Sequence, residues 1–205
     1  MEKKTEKKGA SKRSKAPQNR PKHQQALVQA AAVLFRKQGY AATGTAEILK
    51  RSGAPRGSLY HYFPEGKEAI GAAALEAASK VASRTFRDLA ANTESPADFV
   101  RAYATLLAGW MEKSDFTDGC PVATTVLETV PGSDIITPVA RTSFQHWQRT
   151  IQDMLMSHGW HGGRARATAT LVLSAFEGAL IMARVEQSAS PIHDTAEELA
   201  ALLAG

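Results

Sequence analysis

Residues 43–68 read TGTAEILKRSGAPRGSLYHYFPEGKE and predict two short helices joined by a tight turn at Ser52-Gly53. The first is expected at about 45–51, with Thr45 as a suitable N-cap, and the second at about 55–62, because proline favours the first position of a helix. A longer helix at about 23–38 precedes them, since its apolar residues recur with helical spacing. A supporting helix followed by two short helices is the helix-turn-helix arrangement.

The second short helix of such a unit enters the major groove of DNA, so its exposed face should contact phosphates and bases. Leu59 and Phe63 are four residues apart and would anchor this helix to the core. For Tyr62, packing in the core and contact with the DNA backbone are equally good interpretations. The remaining candidates for the DNA side are Arg56, Gly57, Ser58, Tyr60 and His61, with Gly57 letting the backbone come close to the duplex.

Several of these residues also have a plainer interpretation. Tyr60 could be a half-buried core aromatic, and Lys67, at the head of the next helix, could be merely solvated. His61 is a poor candidate for a metal ligand, because no partner lies at a usable spacing. We expect no metal site in this protein.

Positive charge is concentrated at the N-terminal end of the chain. The formal net charge is +5, divided into +7 for residues 1–22, +4 for residues 23–67 and −6 for residues 68–205. A basic end on an acidic body suggests a polyanionic partner. Residues 1–22 have almost no apolar content and are expected to be a disordered tail, which either contacts DNA or only keeps the chain soluble.

Composition excludes several other classes of protein. Cys120 is the single cysteine of the 205 residues, which excludes an intrachain disulfide framework and a cysteine-rich zinc site. The basic N-terminus is not followed by an apolar stretch, so it does not have the form of a secretory signal. We find no apolar run near the roughly 20 residues that cross a bilayer. We therefore expect a soluble cytoplasmic protein with no membrane partner and no cofactor.

No useful length of the chain alternates with period two, so the predicted fold class is all-α, with about nine helices. We divide the chain into the tail at 1–22, a helix-turn-helix DNA-binding domain at 23–67, and a ligand-binding and dimerisation domain at 68–205. The helices of the last segment are expected at about 67–90, 96–113, 120–130, 134–158, 164–187 and 191–203.

A set of short motifs lies between residues 23 and 70. These are Gly39-Tyr40, Thr43-Gly44-Thr45, Ile48, Gly53, the string RGSLYHYF at 56–63, and Lys67-Glu68. Together they closely resemble the DNA-binding domain of TetR-type transcriptional repressors. The junction FPEGKE at 63–68 and the string DGCPVA at 118–123 resemble the LmrA/YxaF-like branch of that family.

This resemblance implies an Ω-shaped homodimer of nine-helix subunits, with a ligand pocket in the C-terminal domain. It assigns phosphate contacts to Thr45, Tyr60 and Lys67 and positions near base edges to Arg56, Gly57 and His61. Many relatives have Ser or Thr where this chain has Pro55, so a phosphate contact from that hydroxyl is missing here.

The C-terminal segment is rich in aromatic residues and methionine, which suits either an ordinary helical core or a concave apolar pocket with a few polar groups. The candidates for a pocket are four aromatic residues and two polar ones. They are Trp110, Phe144, Trp147, Phe176, Thr124 and His146. Planar aromatic or antibiotic-like effectors are plausible in the branch that the chain resembles.

The last two helices are the candidates for a dimer interface, because their apolar stripe is too wide for a lone surface helix. The candidate interface residues are Leu171, Ala175, Phe176, Ala179 and Met182. Burial within the subunit is the alternative, and Phe176 could serve either purpose.

Cys120 begins a predicted helix, where the helix dipole can depress the pKa of a thiol and make it reactive. The alternative is a small packed residue.

We therefore predict a ligand-responsive repressor that binds a palindromic operator as a homodimer and is released by a small aromatic effector. One alternative is a DNA-binding regulator or architectural protein without an effector. A thiol-redox sensor acting through Cys120 is another. An enzyme is not expected, because no His-Asp pair is suitably placed to activate that thiol.

Overall fold

The computed structural model describes residues 20–204, and the described residues form nine α-helices and no strand. This confirms the predicted all-α class. The helices are α1 Arg20–Gln38, α2 Thr45–Ser52, α3 Ser58–Tyr62, α4 Lys67–Asn92, α5 Pro96–Lys113, α6 Pro121–Thr129, α7 Ile136–Ser157, α8 Gly162–Glu186 and α9 Ser190–Ala204. The predicted basic tail lies outside the described residues, except that α1 already begins at Arg20.

The second short helix is shorter than the sequence predicts. Residues 55–57 were expected to form the first turn of this helix. They form a separate turn instead, in which the amide of Ser58 donates to the carbonyl of Pro55 at 2.8 Å. Helix α3 therefore begins at Ser58, with Gly57 as its N-cap. Thr45 is also displaced by one position, because the N-cap of α2 is Gly44 and Thr45 is the first helical residue.

A first hydrophobic core holds the three N-terminal helices together. Leu27 and Phe35 of α1 pack with Ile48 of α2 and Leu59 of α3, and all four are almost completely buried. Phe63, just after α3, belongs to the same cluster. Leu59 and Phe63 thus anchor α3 as predicted, and they leave its other face free.

A second core, built from α4 to α9, is dominated by aromatic rings. Phe86 of α4 lies between Tyr103 of α5, at 4.9 Å between ring centroids, and Trp147 of α7, at 6.2 Å. Tyr103 in turn meets Phe176 of α8 edge to face at 5.0 Å. The indole N–H of Trp147 donates to the carbonyl of Ser79 at 3.3 Å, which satisfies the polar atom of a buried side chain.

Helix α4 belongs to both cores. The domain boundary predicted at residue 67 coincides with its first residue, yet Ile70 and Ala74 pack in the first core while Phe86 packs in the second. Where the two cores meet, a Cβ on Gly71 would lie 2.9 Å from the ring of Tyr40. The absence of a side chain at this position lets the N-terminal helices pack tightly against α4.

Helix α8 corrects one expectation from the sequence. It is 25 residues long with a mean hydropathy of 1.4 over its most apolar window, so by length and composition it could cross a membrane. One face of the helix packs in the second core, where Val172, Phe176, Ala179 and Ala183 are buried, while other apolar residues of α8 stay exposed. The sequence predicted this helix, but not that it meets the length and hydropathy of a membrane span, because its small residues and scattered polar ones break the apolar run.

Replacing Phe86 with alanine tests how far the fold depends on the aromatic core. Phe86→Ala should lower the free energy of unfolding by about 3–5 kcal/mol, because it removes a buried ring and leaves a cavity between α4, α5 and α7. Urea denaturation at fixed protein concentration measures the change. Val81→Ala is the control, since Val81 is 57% exposed on the same helix, and it should cost no more than about 0.5 kcal/mol. Equal losses in the two variants would contradict this account of the core.

Candidate functional site

The exposed face of α3 carries the residues predicted to meet DNA. Tyr60 is 62% exposed although it is a large aromatic residue, and His61 beside it is also exposed. Arg56 and Gly57 in the preceding turn are exposed too. A Cβ on Gly57 would meet nothing within 4 Å, so the backbone there is open to close approach from outside.

Ser58 and Tyr62 lie at the edge of this face. Both are half-buried, and the ring of Tyr62 packs edge to face against that of His61 at 4.9 Å between centroids. Tyr62 therefore combines packing with partial exposure. Its packing holds the His61 ring in a defined position on the exposed side of the helix.

The N-terminus of α2 follows the loop that connects it to α1. Its N-cap, Gly44, supplies no side-chain acceptor, so the first amides of the helix depend on solvent or on another acceptor. Thr45, half-buried at the first helical position, puts a hydroxyl beside these amides. A helix end of this kind is suited to a phosphate group.

Lys67, the first residue of α4, is held by the loop after α1. Its ammonium lies 4.4 Å from the centroid of the Tyr40 ring and donates to the carbonyl of Ala41 at 3.2 Å. Partial burial lowers the pKa of Lys67, and the nearby carboxylate of Glu128 opposes that effect. The ammonium is thus neither freely solvated nor buried, and it sits next to the loop that leads into α2.

Glu128 brings the C-terminal half of the chain to the same loop. Its carboxylate accepts a hydrogen bond from the amide of Ala41, 87 residues away in sequence. Gly39 makes room for it, because a Cβ there would lie 2.5 Å from a carboxylate oxygen, and its φ of +87° also favours glycine. Sequence reasoning missed this contact, since nothing in the local pattern around Glu128 indicates a distant partner.

The segment before α6 makes a second connection to α1. The carboxylate of Asp118 pairs with Nε of Arg36 at 2.8 Å, and the amide of Gly119 donates to the carbonyl of Arg36 at 3.3 Å. Helix α6 is therefore attached to the N-terminal unit on both sides, by the segment before it and by Glu128 near its end.

The six residues proposed for an effector pocket do not form one cavity wall. Trp147 and Phe176 are almost fully buried in the aromatic core, and Phe144 packs edge to face on Trp147 at 5.1 Å. These rings fill space against each other, as in the alternative interpretation of an ordinary core. Trp110 is 45% exposed on α5, His146 is exposed on α7, and the hydroxyl of Thr124 donates to the carbonyl of Cys120 at 3.0 Å.

Polar groups that the sequence did not single out lie next to this core. Burial raises the pKa of the Tyr103 hydroxyl, and the neighbouring Cys120 and Glu177 raise it further. Burial also raises the pKa of the Glu177 carboxyl. A partly buried phenol, thiol and carboxyl thus come together from α5, the N-cap of α6 and α8. Only the tertiary structure reveals this group, because its members are far apart in sequence.

The Cys120 thiol is less reactive than its position at a helix N-terminus suggests. Burial raises its pKa well above the usual value, and the Glu177 carboxyl raises it further, while bonds from the amides of Ala123 and Val122 act in the opposite direction. The Ala123 amide lies 3.4 Å from the sulfur. Desolvation outweighs the helix dipole here, so the thiol favours its protonated form.

The predicted interface residues lie on two sides of α8. Leu171 and Met182 are about half exposed, and Ala175 lies half-buried between them. Phe176 and Ala179 face the core of their own subunit and are about 2% exposed, so a second chain could not reach them. The exposed stripe instead includes two residues absent from the prediction, Ile181 and Val185.

No group of three His, Cys, Asp or Glu side chains that could hold a metal ion occurs between residues 20 and 204.

Comparison with known protein families agrees with this geometry. Residues 27–74 match the model of the bacterial regulatory proteins of the tetR family, and residues 96–198 match the C-terminal domain of LmrA/YxaF-like transcriptional regulators. The first match covers the helix-turn-helix unit and the first turns of α4. The second covers most of the C-terminal helices.

Full-length relatives agree as well. The chain is 29% identical to the HTH-type transcriptional regulator YxaF of Bacillus subtilis over 86% of this chain and 93% of that protein. It is 28% identical to the HTH-type transcriptional regulator LmrA of the same organism, over 81% of this chain and 88% of that protein. An HTH-type transcriptional regulator of Mycobacterium tuberculosis is 30% identical over 86% and 92%. These proteins are transcriptional regulators and not enzymes.

Solved structures show the same fold. The regulatory protein TetR from Rhodobacter sphaeroides superposes with a TM-score of 0.77 at 24% identity, over 86% of this chain and 96% of that one. The reduced form of Escherichia coli NemR superposes with a TM-score of 0.70 at 20% identity, over 86% and 95%. The chain therefore belongs to the TetR family of bacterial transcriptional regulators and has an LmrA/YxaF-like C-terminal domain.

Proposed function

We propose that this regulator is a repressor that binds a near-palindromic operator as a homodimer and is released by a small aromatic effector. The observation that carries the proposal is the exposed face of α3, which presents Tyr60 and His61 while Leu59 and Phe63 anchor the helix from behind. Within residues 20–204 the hydroxyl of Tyr60 has no hydrogen-bond partner, and DNA would supply one. Repression is the usual behaviour of the family.

DNA contacts divide into phosphate and base contacts. Three groups bind phosphates and so set the orientation of the protein on the DNA. They are Thr45 with the first amides of α2, the hydroxyl of Tyr60 and the ammonium of Lys67. Arg56 and His61 lie toward base edges, where a guanidinium can bind O6 and N7 of guanine. Ser58 and Tyr62 are at the margin of the contact, and Gly57 lets the backbone approach.

A homodimer is supported by the exposed apolar stripe of α8. Leu171, Ile181, Met182 and Val185 are each at least 47% exposed on one helix, and a groove between α8 and α9 adjoins this stripe. A contiguous apolar patch of this kind is unfavourable in water and favours association. Pairing α8 and α9 with the same helices of a second copy would bury the stripe. Binding to an operator would further require the two α3 helices to lie about one turn of DNA apart, roughly 34–36 Å.

An effector would act through the partly buried polar group of Tyr103, Cys120 and Glu177. These groups offer a ligand hydrogen bonds next to an aromatic core, the combination typical of small-molecule sites. Cys120 is the N-cap of α6, and Glu128 near the other end of α6 touches Ala41. A ligand that moves α6 would therefore disturb the loop that holds Lys67. Such a ligand releases the protein from DNA if it binds more tightly to the state that does not bind DNA.

Thiol-redox sensing is less well supported, because burial and Glu177 both disfavour the Cys120 thiolate.

Binding to chromosomal DNA would place the protein in the cytoplasm.

Fluorescence anisotropy with DNA from upstream of the chain's own coding region tests the proposal, with and without a panel of planar aromatic compounds, at two salt concentrations. Tight, sequence-selective binding that a compound abolishes is the expected result. Selective binding that no compound changes would point to a regulator without such an effector. Weak binding that is equal on random DNA and lost with salt would contradict the operator proposal.

Tyr60→Phe should weaken operator binding about 3- to 10-fold, because it removes one hydroxyl that bonds a phosphate. The dependence of binding on salt concentration should stay the same, since no charge is lost. Anisotropy titrations at several salt concentrations measure both quantities. Thermal unfolding should match that of the unaltered protein, because the hydroxyl is on an exposed side chain. Unchanged operator affinity would remove Tyr60 from the DNA contact.

Ile181→Asp should convert the dimer into monomers at micromolar concentration, because it puts a charge into the apolar stripe that pairing would bury. Sedimentation velocity distinguishes a 22.0 kDa chain from a pair of chains. Met156→Asp is the control, since Met156 is 45% exposed on α7, away from the stripe, and it should remain dimeric. A dimer that survives Ile181→Asp would show that the subunits associate through another surface.

Cys120 should react with Ellman's reagent at pH 8 at least tenfold more slowly in the native protein than in urea. The raised pKa reduces the thiolate fraction at that pH, and the rate should rise as the pH approaches the pKa of the folded state. The signal is unambiguous, because the chain has one cysteine. Native reactivity equal to or above that of the unfolded chain would contradict the packed thiol and support redox sensing.

A further inference from the structure

A cleft of about 580 Å³ opens between α4 and α7, and none of Tyr103, Cys120 and Glu177 lines it. Its α4 wall carries Lys80, Arg84 and Arg87, which recur with the spacing of one helix face. Its α7 wall carries His146, Thr142 and Ser143. The volume is in the range of small-molecule sites, and the lining is basic and rich in hydroxyl groups.

The charge of this cleft is opposite to that of its surroundings. Residues 68–205 have a net charge of −6 with ten basic residues, and three of those ten line this one cleft. Glu76 is the single acidic residue among the lining side chains. Positive charge gathered in a concave site raises the local concentration of anions.

Two of the basic groups are not neutralised by any residue between 20 and 204. Glu76 pairs with Lys80 at 2.7 Å, but neither Arg84 nor Arg87 takes part in an ion pair within the part of the chain that the structure describes. Nε of Arg87 donates to the carbonyl of Ser83 at 3.3 Å, which orients its guanidinium without satisfying its charge. Two guanidinium groups one helical turn apart can bind a carboxylate, sulfonate or phosphate through paired hydrogen bonds.

The cleft also offers contacts for the rest of such a ligand. Pro138 and Val139 give the α7 wall an apolar part. Ser79 and Ser83, buried on the floor of the cleft, line it from α4.

We propose that the cleft between α4 and α7 is a binding site for a small organic anion, held by Arg84 and Arg87 on one wall and by His146 on the other. The inference goes beyond the repressor proposal, because it concerns another site and a ligand of defined charge. An anion that bridges the two walls would join α7 to the helix that begins at Lys67 in the DNA-binding unit. Its occupancy would therefore restrict the movement of α4.

Isothermal titration calorimetry of the full chain, without DNA, tests the site. The probes are inorganic pyrophosphate and naphthalene-2-sulfonate at constant ionic strength, which separate a preference for phosphate from one for an aromatic anion. Saturable binding of either probe with one site per subunit is expected. Arg84→Gln and His146→Ala, on opposite walls, should each weaken it, the former at least tenfold.

Lys113→Gln is the matched control, since it removes one positive charge from an exposed position on α5 and should change binding less than twofold. The proposal fails if neither probe binds, or if Arg84→Gln binds as well as the unaltered protein. Equal losses in Arg84→Gln and Lys113→Gln would also overturn it, because they would indicate attraction by net charge alone. If neither probe binds and Arg84→Gln also binds random DNA more weakly in a separate anisotropy titration, this face contacts DNA instead. Failure of the operator experiment would leave the calorimetric result unaffected.

Discussion

The burial of one helix in two hydrophobic cores is the constraint on which the rest of this structure depends. The first turns of α4 contribute Ile70 and Ala74 to the core of the helix-turn-helix unit, and its later turns contribute Phe86 to the aromatic core. Gly71 lies where the cores meet and lets Tyr40 approach the helix closely. A closely packed interior transmits displacement, so α4 cannot move in one domain without disturbing the other.

The second connection between the domains is polar and much weaker. Helix α6 is attached to the N-terminal unit by Glu128 on the amide of Ala41 and by the pair of Asp118 with Arg36. The partly exposed ion pair of Asp118 with Arg36 contributes only about 0–1 kcal/mol. The hydrogen bond of Glu128 lies at an exposed position, where water competes for the same amide. The domains are therefore joined by one strong apolar connection and one that can break at low cost. The ligand response proposed above would use the connection that breaks at low cost.

The aromatic residues of the C-terminal domain show why a binding pocket is difficult to infer from composition. From the sequence, Trp147 and Phe176 were candidates for a pocket, with an ordinary core as the alternative, and in the structure both are buried in the core. The groups with unusual chemistry are Tyr103, Cys120 and Glu177, whose pKa values are all raised by burial. Apolar side chains gain most by packing together, whereas a buried polar group costs free energy unless it has a partner. Buried polar groups are therefore better indicators of a site than aromatic ones.

The sequence by itself determined the helical class, the order of the nine helices within the described residues, the helix-turn-helix unit and the residues that anchor α3. These follow from apolar periodicity, from glycine and proline at turns and from short motifs, all of which act over a few residues. Even so, α3 begins three residues later than predicted, because a turn at Pro55 competes with the helix. Only the tertiary structure decided which face of α8 is buried, that Glu128 reaches Ala41, and that the basic residues of α4 line a cleft with α7. Such contacts depend on how helices far apart in sequence pack against one another, and local patterns do not encode that geometry.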